Sequence, residues 1–207
     1  MKKRAWLGII LLLMGITPAI TFFFMNKPQY NFWFSNHTFI ILGIALLLKS
    51  KFWVMAELCL GTIPELYWST DFLFRIITGK FLFGTTEYMF KNNAFNIAHI
   101  YSLQHLLFVP LGLLALHWLG GPAKKAWIGS IGHASILLII SKFFPEYNIN
   151  CTIHSCIPIK IPYYQIIWPI IIVLNIMLMY FILTSIWNKK EKRRRPEFHK
   201  PRILNFF

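Results

Sequence analysis

The chain has 207 residues, of which 57% are hydrophobic, 17% aromatic and only 14% charged, and its formal net charge is +14. Soluble domains are about half apolar, with about a quarter of their residues charged, so this composition argues against a soluble enzyme and favours a membrane protein. The mean hydropathy of +0.55 agrees. A chain of this length suits one helical bundle and leaves no room for a second globular domain.

The basic residues lie at the ends of apolar runs and in one C-terminal cluster. This placement is typical of topology signals and of contacts with anionic lipid headgroups. It makes nucleic-acid binding the weaker explanation of the net charge. We therefore predict that the chain contacts the lipid bilayer, with anionic headgroups at its basic tail, and does not bind nucleic acid.

Six apolar runs predict an all-α, polytopic transmembrane bundle over residues 1–187, followed by a basic tail at 188–207. The predicted spans are 5–24, 32–48, 52–72, 94–119, 127–144 and 164–187. The first run follows a basic N-terminus, as in a signal peptide. Its length, and the lack of a small-x-small cleavage site, favour an uncleaved helix instead.

The distribution of Lys and Arg predicts the orientation of the bundle. Six spans place both termini on the same side of the membrane, and the segments on that side hold 15 of the 21 basic residues. Because Lys and Arg are retained in the cytoplasm, we predict cytoplasmic termini and a multi-pass protein of the inner membrane. Cleavage of the first helix would not change this orientation.

The third predicted span contains three acids that hydrocarbon would reject. Asp71 lies near its outer end with Arg75 four residues later, which predicts a helical ion pair. Glu57 and Glu65 are eight residues apart, so both can face the bundle interior. Ionisable groups at such depth are often functional. A water-accessible pocket and a structural buried acid are about equally favoured by these two residues.

The backbone beside Glu65 is also unusual. Pro64 removes one helical hydrogen bond and leaves the carbonyl of Leu60 without its usual donor. Thr62, Glu65 and Ser69 follow the three- and four-residue spacing of one helical face. An acid, two hydroxyls and a loosened backbone together predict a polar pocket.

Depth along antiparallel spans groups the other polar residues. The predicted outer layer, covered by a loop with Tyr147, Asn148 and Asn150, consists of His37, Glu65, His99 and Ser102. The predicted inner layer consists of Glu57, His117 and His133. His105 is predicted to lie about halfway between them.

A carboxylate beside a histidine can hold the imidazole ready as a general base. The candidate catalytic residues are therefore Glu65, His99 and His105. The candidate substrate-binding residues are His37, Ser102, Asn148 and Asn150. No Gly-x-Ser-x-Gly or other activating context surrounds Ser102 as a nucleophile.

Metal binding is a further alternative for these histidines. Three histidines and an acid could bind zinc or iron, but no HExxH-type spacing is present. His117 and His133 form the one pair suited to haem. A lone histidine in a membrane helix often only forms a hydrogen bond to a neighbouring helix. No metal ligand is therefore assigned, and the cofactor is left unknown.

The loop segment CTIHSC contains two cysteines on the predicted outer side, where disulfides form. A short structural disulfide between Cys151 and Cys156 is the favoured interpretation. A redox pair would want Cys-x-x-Cys spacing, and zinc held by Cys151, His154 and Cys156 would lack a fourth ligand.

The segment from about Gly84 to Asn150 carries a set of residues that point to one family. They are Glu87 to Phe90, Ser102 with His105, Pro110 to Gly120, Lys125 to Trp127, and Pro145 to Asn150. In these residues the chain resembles an uncharacterised family of bacterial polytopic inner-membrane proteins. The resemblance implies the membrane architecture but no activity, and it marks Ser102, His105, Asn148 and Asn150 for mutation. After Asn150, the segment from Cys151 to Cys156 departs from the family pattern.

Three functions fit this pattern. The leading hypothesis is a transporter that handles a lipid or small polar solute in an outward-facing pocket. The alternatives are an intramembrane enzyme using His/Glu acid–base chemistry and a non-catalytic membrane assembly subunit. No inverted repeat supports the first, and no nucleophile or metal motif supports the second.

Overall fold

In the computed structural model, which describes residues 2–91, 97–156 and 161–194, the chain is all-helical and no strand occurs among these residues. The α-helices are α1 Lys2–Phe24, α2 Phe34–Leu47, α3 Lys51–Thr78, α4 Ile97–Ser102, α5 Gln104–Trp118, α6 Ala126–Ser141 and α7 Tyr164–Arg194. Short 3₁₀ turns lie at Pro28–Phe32, Glu87–Met89, Pro145–Tyr147 and Ile149–Cys151. The all-α prediction is confirmed.

Three segments are long and apolar enough to cross a membrane, namely Lys2–Phe24, His99–Trp118 and Tyr164–Lys189. The apolar helices α2 and α6 are shorter, with 14 and 16 residues. Helix α3 has 28 residues but contains several charged side chains. Length and composition thus support three of the six predicted spans, and crossing by all six stays a prediction.

Three predicted spans divide or end six or more residues later in the structure, and the last of them, 164–187, is exceeded by α7, which runs seven residues further to Arg194. The predicted span 94–119 divides at Leu103 into α4 and α5, and α5 runs through Pro110. Helix α3 continues to Thr78, six residues beyond the predicted end. It stops at Gly79, whose φ of 73° is the left-handed conformation that glycine adopts most readily. Residues 195–207 of the predicted basic tail lie outside the described residues.

Helix α3 lies at the centre and packs against α2, α5, α6 and α7. Phe39, Phe108 and Leu116 are among the fully buried side chains of the core. The side-chain amide of Asn175 on α7 donates to the carbonyl of Leu60 at 3.1 Å. Pro64 has no N–H for this carbonyl, so a neighbouring helix supplies the missing donor.

Helices α1 and α2 form an antiparallel pair whose backbones approach closely. A Cβ atom added at Gly43 would lie 2.7 Å from the backbone N of Leu12 and 2.8 Å from the carbonyl O of Gly8. Both neighbours are backbone atoms, which cannot swing aside as a side chain can. Small residues therefore determine how closely these helices pack, as is common in membrane proteins.

Substituting Gly43→Ala should lower the free energy of unfolding by about 1–3 kcal/mol, the usual effect of overpacking. Chemical unfolding in detergent, followed by circular dichroism, measures the change. Gly132→Ala is the matched control, because a Cβ at this helical position meets nothing within 4 Å. Equal stability of the two variants would contradict the close approach of α1 and α2.

Candidate functional site

A cavity of about 700 Å³ lies at the end of the bundle where α1 ends and α2 begins. Its walls come from the last turn of α1, the 28–32 turn, the start of α2, the loop after α3, helix α4 and the disulfide loop. Four of the predicted site residues line it: His99, Ser102, His105 and Asn148. Its aromatic lining includes Phe22, Tyr30, Trp33, Tyr88 and Tyr101.

His105 is held by a carboxylate behind the cavity wall. Its Nδ1 lies 2.6 Å from Oε2 of Glu65, and the side chains are 17% and 3% exposed. Trp68, one turn after Glu65 on α3, stacks on the imidazole at 4.3 Å between ring centroids and 15° between planes. Since Nδ1 is engaged by Glu65, Nε2 is the nitrogen that can meet a ligand in the cavity.

A second chain of hydrogen bonds reaches Ser102. The indole N–H of Trp68 donates to the hydroxyl of Tyr88 at 3.1 Å, and Tyr88 donates to Oγ of Ser102 at 3.0 Å. Burial raises the pKa of Tyr88, which keeps the phenol protonated and able to donate. Trp68 and Tyr88 were not predicted as site residues. Their position is set by the tertiary contact between α3 and the loop, which no local pattern reveals.

Asp71 organises the loop that forms one wall of the cavity. Its fully buried carboxylate accepts hydrogen bonds from the backbone N–H groups of Leu82, Phe83, Gly84 and Thr86, and from the Thr86 hydroxyl. The predicted ion pair with Arg75 is wrong. The guanidinium of Arg75 instead lies 4.7 Å from the Phe81 ring centroid and 5.4 Å from that of Phe90. Five donors in the loop satisfy the carboxylate better than one cation would.

Asn148 and Asn150 both stabilise the loop that covers the cavity. The side-chain oxygen of Asn148 accepts from the backbone N–H groups of Ile153 and His154, both at 3.0 Å. Asn150 accepts from the backbone N–H of Phe34 at 2.8 Å and donates to the carbonyl of Phe32 at 2.9 Å. Asn150 is not among the residues that line the cavity, so its predicted role in binding has no support from its position.

The same loop is closed by a disulfide between Cys151 and Cys156, whose Cα atoms are 5.6 Å apart. Both cysteines line the cavity. The left-handed φ values of Asn148, Asn150 and Cys151 give the loop its tight course. The disulfide thus lies in the cover of the cavity.

His37 lies apart from the cavity and belongs to a buried cluster. Its Nε2 is 2.8 Å from Nε2 of His133, and Nδ1 of His133 is 2.9 Å from Oε1 of Glu57. Depth predicted that His37 lies with Glu65 in an outer layer, but His37 contacts His133 and, through it, Glu57. His133, near the middle of α6, thus contacts His37 in the first turn of α2.

The contacts also bear on the metal alternatives. Among the described residues, no group of three or more His, Cys, Asp or Glu side chains could hold a metal ion. Both ring nitrogens of His133 are engaged by protein groups, and His117 is exposed at the end of α5. These two residues therefore do not form the haem-binding pair that we considered.

No protein-family model, curated protein or solved structure matches the chain. The resemblance to a bacterial inner-membrane family accordingly stays a prediction. The geometry brings His99, Ser102 and His105 to the cavity, and Glu65 lies behind its wall in contact with His105. It assigns His37 to the separate cluster with Glu57.

Proposed function

We propose that the chain is a six-pass inner-membrane protein with cytoplasmic termini, which binds a lipid or small polar solute in a cavity open to the outer side. The observation that carries this proposal is the 700 Å³ cavity with His105, backed by Glu65, in its wall. The basic residues concentrated on the opposite side of the predicted bundle support the orientation. The C-terminal basic tail contacts anionic headgroups of the inner leaflet.

The lining of the cavity indicates the chemistry of the ligand. The ionisable side chains among the described lining residues are Lys27, three histidines and tyrosines, without a carboxylate. Most of the lining surface is apolar, and besides the tyrosines it includes the aromatic rings of Phe22 and Trp33. An amphipathic molecule suits this surface, with its apolar part against the aromatic rings and its polar or anionic head near Lys27 and the histidines.

The pair formed by Glu65 and His105 supplies the polar recognition. The carboxylate keeps Nδ1 of His105 as the donor, so Nε2 is presented to the ligand as an acceptor when the ring is neutral and as a donor when it is charged. This arrangement can bind a head group or exchange a proton with it. Both capacities suit a transporter.

An intramembrane enzyme is the second candidate. The short contact between Glu65 and His105 is the arrangement of a general base with its orienting acid. A water held at Nε2 would be the nucleophile, since the hydroxyl of Ser102 is already engaged by Tyr88. This candidate requires that a bound substrate be converted.

Mass spectrometry of the detergent-purified protein tests the proposal. We expect an amphipathic molecule to copurify with the wild type and to be lost from His105→Ala. His117→Ala is the matched control, because His117 lies at the exposed far end of the same helix. Binding of an unchanged ligand supports the transporter, and release of a product supports the enzyme. Equal ligand occupancy in both variants would refute a role for the cavity.

Glu65→Gln should weaken ligand binding by about tenfold, as expected when a charge-assisted hydrogen bond becomes a neutral one, a change of about 1–1.5 kcal/mol. Titration of the copurified ligand into delipidated protein measures the affinity. Glu87→Gln is the control, since Glu87 forms only an exposed pair with Lys91. Unchanged affinity in Glu65→Gln would mean that the carboxylate does not act on the ligand.

A further inference from the structure

The buried cluster around His133 is a continuous chain of hydrogen bonds across three helices. Nδ1 of His37 lies 3.1 Å from the carbonyl oxygen of Asn31, and the Nε2 atoms of His37 and His133 are 2.8 Å apart. Nδ1 of His133 lies 2.9 Å from Oε1 of Glu57. The Thr38 hydroxyl donates to the other oxygen, Oε2, at 2.7 Å. None of the three ionisable residues lines the cavity.

The identity of the end groups determines how many protons this chain holds. A carbonyl oxygen can only accept, so Nδ1 of His37 must carry hydrogen. The contact between the two Nε2 atoms requires one hydrogen, and the contact between His133 and Glu57 requires another. Two neutral imidazoles and an ionised carboxylate have only two hydrogens in total. The three contacts require three, so the cluster carries one additional proton and is neutral overall.

We propose that His37, His133 and Glu57 form a buried proton-binding site, separate from the cavity, that holds one transferable proton. In one form the proton is on Glu57 and both rings are neutral. Transfer breaks the O–H bond of Glu57 and forms N–H at Nδ1 of His133. The N–H bond at Nε2 of His133 then breaks as one forms at Nε2 of His37. Electron pairs stay on their atoms, and the products are a Glu57 carboxylate and a His37 imidazolium.

The residues around the cluster shield this proton from solvent. Glu57 is fully buried and the His133 side chain is 9% exposed. From α2 the cluster receives His37, Thr38 and the ring of Phe34, which lies 6.0 Å from His37 and 5.8 Å from His133 between ring centroids. The charges that act on His37 are those of His133 and Glu57.

Two further neutral groups lie beside the cluster or beside its neighbour Phe34. The 28–32 turn contributes the carbonyl of Asn31, and α5 contributes Phe108, whose ring lies 5.4 Å from that of Phe34. The charge separated by transfer thus moves within an apolar environment between α3 and the turn beside the cavity. Such a site would supply the proton whose movement is coupled to transport. The proposal of a proton-binding site does not depend on whether the cavity binds the proposed ligand.

Nitrogen NMR on the full chain, labelled with ¹⁵N-histidine and reconstituted in lipid nanodiscs, tests the proposal. We expect a scalar coupling across the hydrogen bond between the two Nε2 atoms. We also expect Nδ1 of His37 to be protonated, and Nδ1 of His133 to be protonated or to share its proton with Glu57. The informative variant is Glu57→Gln. Its amide can donate to Nδ1 of His133 and accept from Thr38, so every contact is kept with neutral rings and one proton fewer.

In Glu57→Gln the Nδ1 signal of His133 should shift to the position of an unprotonated nitrogen, while the coupling between the Nε2 atoms persists. Glu65→Gln is the matched control and should shift only the signals of His105. Absence of the coupling between Nε2 atoms in the wild type would overturn the proposal, whether or not the variant folds. An unchanged His133 spectrum in Glu57→Gln would also overturn it, because a proton that is transferred or shared between Glu57 and Nδ1 of His133 must be lost from that nitrogen when the carboxyl group is replaced.

Discussion

Glu57→Ala should destabilise the protein by about 3–5 kcal/mol, because each buried hydrogen-bonding group left without a partner costs about 1–3 kcal/mol and the lost volume adds to this. The change leaves Nδ1 of His133 and the Thr38 hydroxyl without their partner. It also opens a void beside a fully buried position. The free energy of unfolding in detergent, measured by chemical denaturation, reports the loss.

Glu57→Gln serves as the control for this effect. It fills the same volume and keeps both hydrogen bonds, so it should retain most of the stability that Glu57→Ala loses. Adding His133→Ala to Glu57→Ala should cost less than the sum of the single changes, because the two side chains contact each other. Equal stability of the Ala and Gln variants would show that the cluster contributes little to the fold.

Asp71→Ala should open the loop after α3 and lower stability by about 3 kcal/mol. Hydrogen bonds to a charged group contribute about 1.5–3 kcal/mol each, and bonds that share one carboxylate are not additive. The substitution removes the common acceptor of four backbone N–H groups and one hydroxyl. Because Gly84, Thr85 and Tyr88 line the cavity, the ligand should be lost with the loop.

Hydrogen exchange measures this opening residue by residue. In Asp71→Ala the amides of Leu82, Phe83, Gly84 and Thr86 should lose protection, while those of α5 keep theirs. Glu87→Gln is the control, since the Glu87 side chain lies in the same loop but forms only an exposed pair with Lys91. Unchanged protection of the loop amides in Asp71→Ala would contradict the role of the carboxylate.

Helix positions could largely be predicted from the sequence, because apolar runs and their flanking charges are local features. The runs around α1, α5 and α7 are long enough to indicate their helices. The end of α3 was predicted six residues too early, because hydropathy marks the end of the apolar run, whereas the helix continues to its C-cap at Gly79. The break at Leu103 also has no Pro or Gly to mark it.

From the sequence, the candidate site could be predicted only as a set of residue types and not as a set of contacts. Polar groups in apolar runs identified Glu65, His99 and His105 as residues that need partners. Which partner each one takes depends on helix rotation and length, which periodicity does not determine. Glu65 and His105 are 40 residues apart in sequence. Depth placed His37 with Glu65 and placed His133 in the other layer, whereas His37 and His133 are in contact, because depth does not determine which helices meet.

Thiol labelling of Ser102→Cys in oriented membrane vesicles tests the central claim most directly. The natural cysteines give no background, because Cys59 is buried and Cys151 and Cys156 are joined. We predict that a membrane-impermeant reagent labels the introduced thiol from the outer side and that bound ligand blocks it, whereas His117→Cys is labelled only from the cytoplasmic side. Labelling of Ser102→Cys only from the cytoplasmic side, or only after denaturation, would contradict an outward-open cavity.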